Sequence, residues 1–535
     1  MHAGICLLSS GQNFWNISHQ STMARNMRIP LSDASFQGLM RQKKTLFDHT
    51  ADSIFKNLIM LICKDADFKL QIECLPKPLR ATMLSRLTKL KCRNHQGDLN
   101  QFTILLKGFE ALITTKTTEI ELDGLLTFCP DELKKPMLTQ VVQKIVNNAP
   151  DLEILILNER RLMKERENVS FYGCIQQDAI EIIGKLRHLK KLCIKSCAID
   201  FSDLLKLCKK LPALEHLDVY LTEHNLTNAP ADQSMFRESF GNLKVFLFAQ
   251  FSSGNFLRRL TKYCIENLPH LEIVQSQVDS HANSIEMFGE FNLPCESSPL
   301  LHLSTQPCDE KIHLRFPNVT HLKVNLSGGT YPKPALDALM NFSHIEFLCV
   351  SHFPSLCVLE KLLDAYGASL TSLELSVSYC SIKLGTIFEK CPKLEKLCLD
   401  HVKVEDGEEP IQKFSNLKEL VWIAKQGYPV KISTILSAPG LEKISLEGSK
   451  FEVSDLERVA DQISRKQILC HLSSFHHNVY EFINPRSRSK FTTAITSLFK
   501  NAIAFIPDLT DVSIDINFND LSRERFRFYL TSENL

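Results

Sequence analysis

A stacked α/β solenoid is the fold class this sequence predicts, and three observations predict it. The first is a recurring pattern, L-x-x-L-x-L. It is clear at Leu189/Leu192/Ile194, Leu214/Leu217/Val219 and Leu243/Phe246/Phe248. It returns at Val319/Leu322/Val324, Ile345/Leu348/Val350, Leu370/Leu373/Leu375, Leu394/Leu397/Leu399, Leu417/Leu420/Trp422 and Leu441/Ile444/Leu446. The second is the interval: from Val319 onward, successive first positions lie 26, 25, 24, 23 and 24 residues apart. The third is local geometry. The last two apolar positions of each motif are two residues apart, as one face of a strand requires. Amphipathic stretches such as 201–211, 387–391 and 453–464 lie between motifs and read as helices.

Periods of this length belong to leucine-rich repeats. The expected architecture is a leucine-rich-repeat solenoid, with a parallel sheet on the concave side and helices on the convex side. Parallel strands are expected at 322–324, 348–350, 373–375, 397–399 and 444–446, each followed by a helix.

Residues 1–40 are polar and aperiodic, and read as a disordered leader. Residues 41–114 read as a short helical head. Leu46, Thr50, Ile54, Leu58 and Ile62 fall four apart and make one helical ridge, and a second helix continues from Leu79 through Met83, Leu84 and Leu87. Pro76 and Pro78 stand where a helix start tolerates proline. A third helix is expected over 99–114. Such a head can cap the first repeat, whose open end would otherwise expose apolar surface. The solenoid proper is expected over 115–475, opening on an irregular strand at 119–122, a helix around 137–147 and the strand at Leu152/Leu155/Leu157. Residues 158–168 carry seven charges and read as a solvated insertion. Between Leu271 and Val319 the interval nearly doubles, so a long loop is expected there. Residues 476–535 are expected to hold distorted last repeats and a C-terminal cap.

Composition narrows the function classes. The chain has 535 residues, with 62 basic against 61 acidic, so no bulk field favours nucleic acid or an anionic membrane. The 18 cysteines are spread thinly, and many sit at apolar-pattern positions such as Cys349 and Cys398. Reduced, half-buried thiols in the cytoplasm or nucleus are the expected state. The run Ile5–Leu8 is too short for a signal peptide, and no apolar stretch reaches the length of a membrane span. No phosphate-binding loop, dinucleotide fingerprint or nucleophile elbow is present. No cysteines or histidines sit at zinc-finger spacing. His476-His477 reads as a surface turn and Arg486–Lys490 as a solvated basic loop. No cofactor, metal or catalytic residue is expected, and the chain reads as a non-enzyme.

A resemblance enters in the head. Thr45-Leu46-x-x-x-Thr50-x-x-x-Ile54 looks like the BC-box through which substrate receptors bind the elongin B/C adaptor. Leu75-Pro76-x-x-Leu79-x-x-x-Met83 is similar to the box that follows it and touches the cullin. Together they resemble the VHL-box of leucine-rich-repeat receptors in the ZYG and PRAME families, where it also precedes the repeats. Thr50 stands where those families have cysteine. The resemblance implies adaptor binding by Thr45, Leu46, Thr50 and Ile54, and a cullin contact by Leu75, Pro76, Leu79 and Met83. An alternative takes Leu75-Pro76-x-x-Leu79 as the opening of an F-box, which binds a Skp-type adaptor. On a strand whose leucines point inward, the alternating residues face the concave side, where such solenoids bind partners. Candidates there are His216, Tyr220, Leu247, Phe347, Glu374, Lys396, Asp400 and Val421. The mixture of apolar, aromatic and charged groups suits a protein rather than a nucleic-acid backbone. The expected function is therefore the substrate-recognition subunit of a cullin-RING ubiquitin ligase, with a non-enzymatic interaction scaffold as the competing reading.

Overall fold

Each motif folds as one strand, because its leucines can only leave water together on one face of a pleated sheet. The computed structural model describes residues 75–518 with breaks at 91, 93–96, 159–173, 223–232, 251–254, 278–297, 328–330, 378–379, 406–415, 424–428, 431, 448–449, 482–484 and 519–524, together with 53, 72 and 525–530. The first strands are β1 (Glu119–Leu122), β2 (Ile154–Leu157), β3 (Lys191–Ile199), β4 (His216–Leu221), β5 (Val245–Gln250) and β6 (Ile273–Gln277). They pair in sequence order, all parallel. After them come β7 (His302–Thr305), β8 (His321–Asn325), β9 (Phe347–Ser351), β10 (Ser372–Ser376), β11 (Ser381–Lys383) and β12 (Lys396–Asp400). The remainder are β13 (Lys403–Glu405), β14 (Glu419–Ile423), β15 (Pro429–Val430), β16 (Lys443–Glu447), β17 (Lys450–Phe451), β18 (Ser474–Glu481), β19 (Asp511–Phe518) and β20 (Arg525–Leu530). Ten of these form a second sheet in the order β7-β8-β9-β10-β12-β14-β16-β18-β19-β20, while β11/β13 and β15/β17 make short ribbons outside it. Among the described strands only β20 runs antiparallel, against β19.

The two sheets belong to one solenoid. At every junction, a single carbonyl in the turn before a strand accepts two backbone N–H groups from the next repeat. Thr118 accepts from Glu153 and Ile154, and the pattern recurs without a break until Ser473 accepts from Thr510 and Asp511. Between β6 and β7 the Glu272 carbonyl accepts from Leu301 at 2.8 Å and His302 at 3.4 Å. The expected long loop is corrected in its later part, where the interval after Leu271 contains an additional repeat with Leu300 buried ahead of β7 and Leu303 buried within it; 278–297 lie outside the described residues.

Convex returns are helical where the expected amphipathic stretches lie. Phe201–Lys209, Leu384–Lys390 and Val453–Ser464 fall on them, Leu356–Tyr366 is a further helix of the same kind, and each turns apolar residues inward. The return between β12 and β14 falls mostly outside the described residues. Arg486–Lys490, expected as a loop, forms the start of the long helix Pro485–Phe505, which packs on Val453–Ser464 and donates from Asn501 to the Ala460 carbonyl at 2.9 Å. His476 and His477, expected in a turn, lie inside β18.

At the other end, helix Lys77–Lys89 packs on β1, and helix Leu99–Leu112 packs on that helix and on the turn Leu125–Phe128. Asp98 caps the second of these, accepting from the Asn100 and Gln101 amides at 2.9 and 3.1 Å. The Thr88 carbonyl accepts from Asp123 and Gly124, tying the first helix to the chain just past β1. Gly124 is required there, since a Cβ would run into the Leu90 carbonyl. This covering takes Met83 out of reach: it is 0 % exposed, pressed into the core with Leu87 and Phe109. The expected cullin contact at Met83 is thus corrected to a core position, because Met83 lies on the helix stripe that closes the first repeat.

Candidate functional site

The surface that can do something is the strand face opposite the leucines. Along β12 the alternation is complete: Leu397 and Leu399 are buried, while Lys396, Cys398 and Asp400 are partly exposed. In-register pairing then turns single residues into columns crossing the sheet. One column runs Val245–Ile273 on β5 and β6 and His302–His321–Phe347–Ser372–Lys396–Glu419 on β7 through β14.

The middle of that column is aromatic. His302 and His321 stack with centroids 4.0 Å apart, and His321 and Phe347 stack at 5.5 Å. Burial pushes the His302 imidazole down to about 4, with His321 beside it adding to the effect. Burial also lowers His321, whose Nδ1 meets Thr320 Oγ1 at 2.9 Å. Neutral imidazoles can stack as apolar plates, so at neutral pH this is an aromatic strip flanked by Val245, Leu247 and Ile273.

Beyond Phe347 the face becomes charged. Lys396 pairs with Glu419 at 2.6 Å, and Asp400 accepts from Ser376 at 3.0 Å while meeting the His401 ring. Cys349, Glu374 and Cys398 stand in register on β9, β10 and β12. Burial and the Glu374 charge raise the Cys398 thiol to about 12, and burial likewise raises Cys349. Neither thiol is a thiolate at neutral pH, which deprives both of nucleophilic character.

A second charged patch lies on β3 and β4. Lys195 and Asp218 form a pair at 2.6 Å with little exposure, and the Cys193 thiol meets Asp218 at 3.8 Å. A bulge in the β3–β4 register between Ile194 and Ala198 brings Lys195 there. His216 sits beside it, its pKa lowered by burial and then by Lys191.

One grouping imitates a catalytic triad. Ser474 Oγ lies 2.9 Å from His476 Nε2, and Asp511 Oδ2 lies 3.0 Å from the same nitrogen. A relay needs the hydroxyl on one ring nitrogen and the carboxylate on the other. Here both share Nε2, so the carboxylate cannot orient the ring for proton abstraction from the serine. Among the described residues no three His, Cys, Asp or Glu side chains are grouped to hold a metal ion. No described helix is long and apolar enough to cross a membrane.

The sequence-derived candidates separate into three sets. Leu247, Phe347, Glu374, Lys396, Asp400 and Val421 share one continuous face over β5 to β14, whereas His216 and Tyr220 lie on β4 next to it. In the head, Leu75 and Leu79 are half-buried against the core and Pro76 is exposed. Thr45, Leu46, Thr50 and Ile54 lie outside the described residues. Sequence reasoning missed His302, because the repeat carrying it was taken as loop, and missed Lys195, which a bulge places on the face.

Register, repeat length and inward leucines define a leucine-rich-repeat solenoid. No family description matches the sequence, and no curated protein is similar to it. Among solved structures, the chain is similar to a leucine-rich-repeat protein of Leptospira interrogans at 13 % identity and TM-score 0.26, covering 78 % of this chain and 97 % of that one. An internalin of Listeria monocytogenes aligns at 14 % identity and TM-score 0.26, over 73 % of this chain and 91 % of its own. A leucine-rich-repeat-containing protein of Legionella pneumophila gives 11 % identity and TM-score 0.27, over 58 % and 89 %. Likeness this loose carries no argument about what the chain binds, and the fold rests on its own register.

Proposed function

We propose that this chain is a non-enzymatic protein-recognition module whose strand face holds a protein partner. The observation that carries this reading is the His302–His321–Phe347 stack, an ordered, partly exposed aromatic strip at the middle of the sheet. Rigid aromatic groups supply contact area at low entropic cost, which is why they anchor interfaces. The charged groups on either side then fix register and exclude other partners. The half-buried thiols suit a reducing compartment, and we place the activity in the cytoplasm or nucleus.

The finer reading is a substrate receptor of a cullin-RING ubiquitin ligase, with elongin B/C or a Skp-type adaptor on the head. Its support is the order of the two boxes ahead of the repeats, together with partial exposure of Leu75 and Leu79 at the start of helix Lys77–Lys89. Core burial of Met83 counts against its second box.

Affinity purification followed by mass spectrometry tests both readings. A His321→Ala/Lys396→Ala double variant should lose partners that a convex-face control, Glu360→Ala/Lys361→Ala, retains. Partners insensitive to the strand-face change overturn the module reading. Leu46→Ala should release elongin B/C if the receptor reading holds, and absence of elongin, Skp and cullin from the wild-type sample would remove it.

A further inference from the structure

The strand face changes character abruptly at Phe347. On β5 through β9 the outward residues are apolar, aromatic or neutral, with Lys323 the one ordinary cation among the described residues. On β10, β12 and β14 they include three carboxylates, Glu374, Asp400 and Glu419, against one ammonium, Lys396. That ammonium is committed to Glu419 at 2.6 Å, and Asp400 is engaged by Ser376 and His401. Glu374 differs. Its in-register neighbours on both sides are thiols, Cys349 and Cys398, kept protonated by burial and then by the Glu374 charge, and the Cys349 thiol donates a hydrogen bond to Glu374 without neutralising it. Among the described residues it has no ion pair. Lys323 stands two strands away beyond Cys349, at about 10 Å by the strand spacing, which is one screening length at ordinary ionic strength.

Diagonal to Glu374 across β9 and β10, about 7–8 Å away by sheet geometry, Phe347 presents one ring face to His321 and the other toward Ser372. Serine is short, and the next residue in the column, Lys396, is drawn toward Glu419 on its far side. The column therefore has a gap at Ser372, walled by an aromatic face and overlooked by a carboxylate without a cation.

We propose that this gap takes an arginine or lysine of the protein partner, stacked on Phe347 and paired with Glu374, while an apolar or aromatic residue of the same segment lies on the His302–His321 strip. An aromatic face next to a carboxylate is the arrangement that favours a cation, through the ring quadrupole and a charge-assisted hydrogen bond. From Phe347 to Glu419 the face advances three strands, about 14 Å, which an extended segment covers in about four residues. The partner is thus a basic, apolar-flanked peptide segment crossing the strands. This inference rests on the strand face being the recognition surface.

A displayed random dodecapeptide library, panned against the full chain, tests it. Wild-type protein should enrich sequences with arginine or lysine within about four residues of an aromatic or large aliphatic residue. Glu374→Gln should weaken a synthetic copy of the leading peptide by about 10-fold to 100-fold. Glu374→Lys should abolish its binding and select acidic sequences instead. If enriched peptides lose affinity with Phe347→Ala, in a protein whose melt is unchanged, yet ignore both Glu374 variants, the basic-residue proposal is wrong and the recognition face stands. If no peptide is enriched, or enriched peptides ignore Phe347 and Glu374 alike, both readings are overturned.

Discussion

The rings of His302 and His321 stack across neighbouring strands, 4.0 Å between centroids and 16° from parallel. Two imidazolium rings could not lie that close without repulsion, so the arrangement belongs to the neutral forms. His477 repeats the theme inside the core: it occupies an inward position next to Leu446, only 3 % exposed, and burial pushes it down to about 3.

These histidines set a pH dependence of known sign. Their folded pKa values lie below the ordinary 6.5, so below that pH the unfolded chain binds more protons than the folded one. Stability is full above about 6.5 and falls as pH drops toward 4, where His302 itself begins to take a proton. Melting temperatures measured from pH 7.5 to 4 should decline through this window. His477→Leu, which restores the leucine that other repeats carry, should flatten the decline.

A second prediction follows from the turn after each strand. His352, Val377 and His401 occupy one repeat position, with φ of 59°, 48° and 54°. Their amides donate to the Ser376, Asp400 and Ile423 carbonyls of the following strands. A β-branched side chain in this left-handed region is strained, whereas asparagine tolerates it. Val377→Asn should therefore raise stability by about 0.5–1 kcal/mol in denaturant melts.

Asp455 ties two convex helices together. It is buried and accepts from the Ser433 amide at 3.0 Å, from Ser433 Oγ at 2.6 Å and from Arg458. Burial alone would raise its pKa; the Ser433 and Arg458 bonds outweigh that and bring it below the usual carboxylate range. Its contribution is therefore present above the ordinary carboxyl pKa and is lost as pH falls through the lowered one. Asp455→Ala strands the Ser433 amide and should cost about 1–3 kcal/mol near neutral pH.

Neighbouring positions on β12 should behave in opposite ways. Leu397 is 1 % exposed, and Leu397→Ala should cost about 2–5 kcal/mol through the cavity it leaves. Lys396 makes only a partly exposed ion pair, so Lys396→Ala should cost less than about 1 kcal/mol. Chemical denaturation of the two variants separates a core position from a face position one residue away.

Much of the fold was legible because inward leucines at fixed spacing leave little freedom: β1, β8, β9, β10, β12 and β16 fall where the pattern expects them. The repeat at β7 was not legible. Its motif ends in Thr305 instead of an aliphatic residue, and only 19 residues separate Leu300 from Val319. The basic stretch 486–490 misled for a different reason. Charge density suggested a loop, but the apolar residues that hold the helix, Phe491 through Ile503, lie after it. On the face, alternation found Phe347, Glu374 and Lys396, since outward direction follows from strand period alone. Side-chain contacts between neighbouring repeats, such as Ser474 with Asp511, depend on register across 37 residues, and no local pattern announces them.

Site-specific photo-crosslinking tests the recognition face most directly. Benzoylphenylalanine placed at Leu247 or Val421 on the strand face, and at Lys361 on the convex side, samples both surfaces of the same folded protein. Irradiation in cells should give discrete higher-mass adducts from positions 247 and 421 and none from 361. Adducts confined to position 361, or equal at all three, would contradict recognition by the strand face.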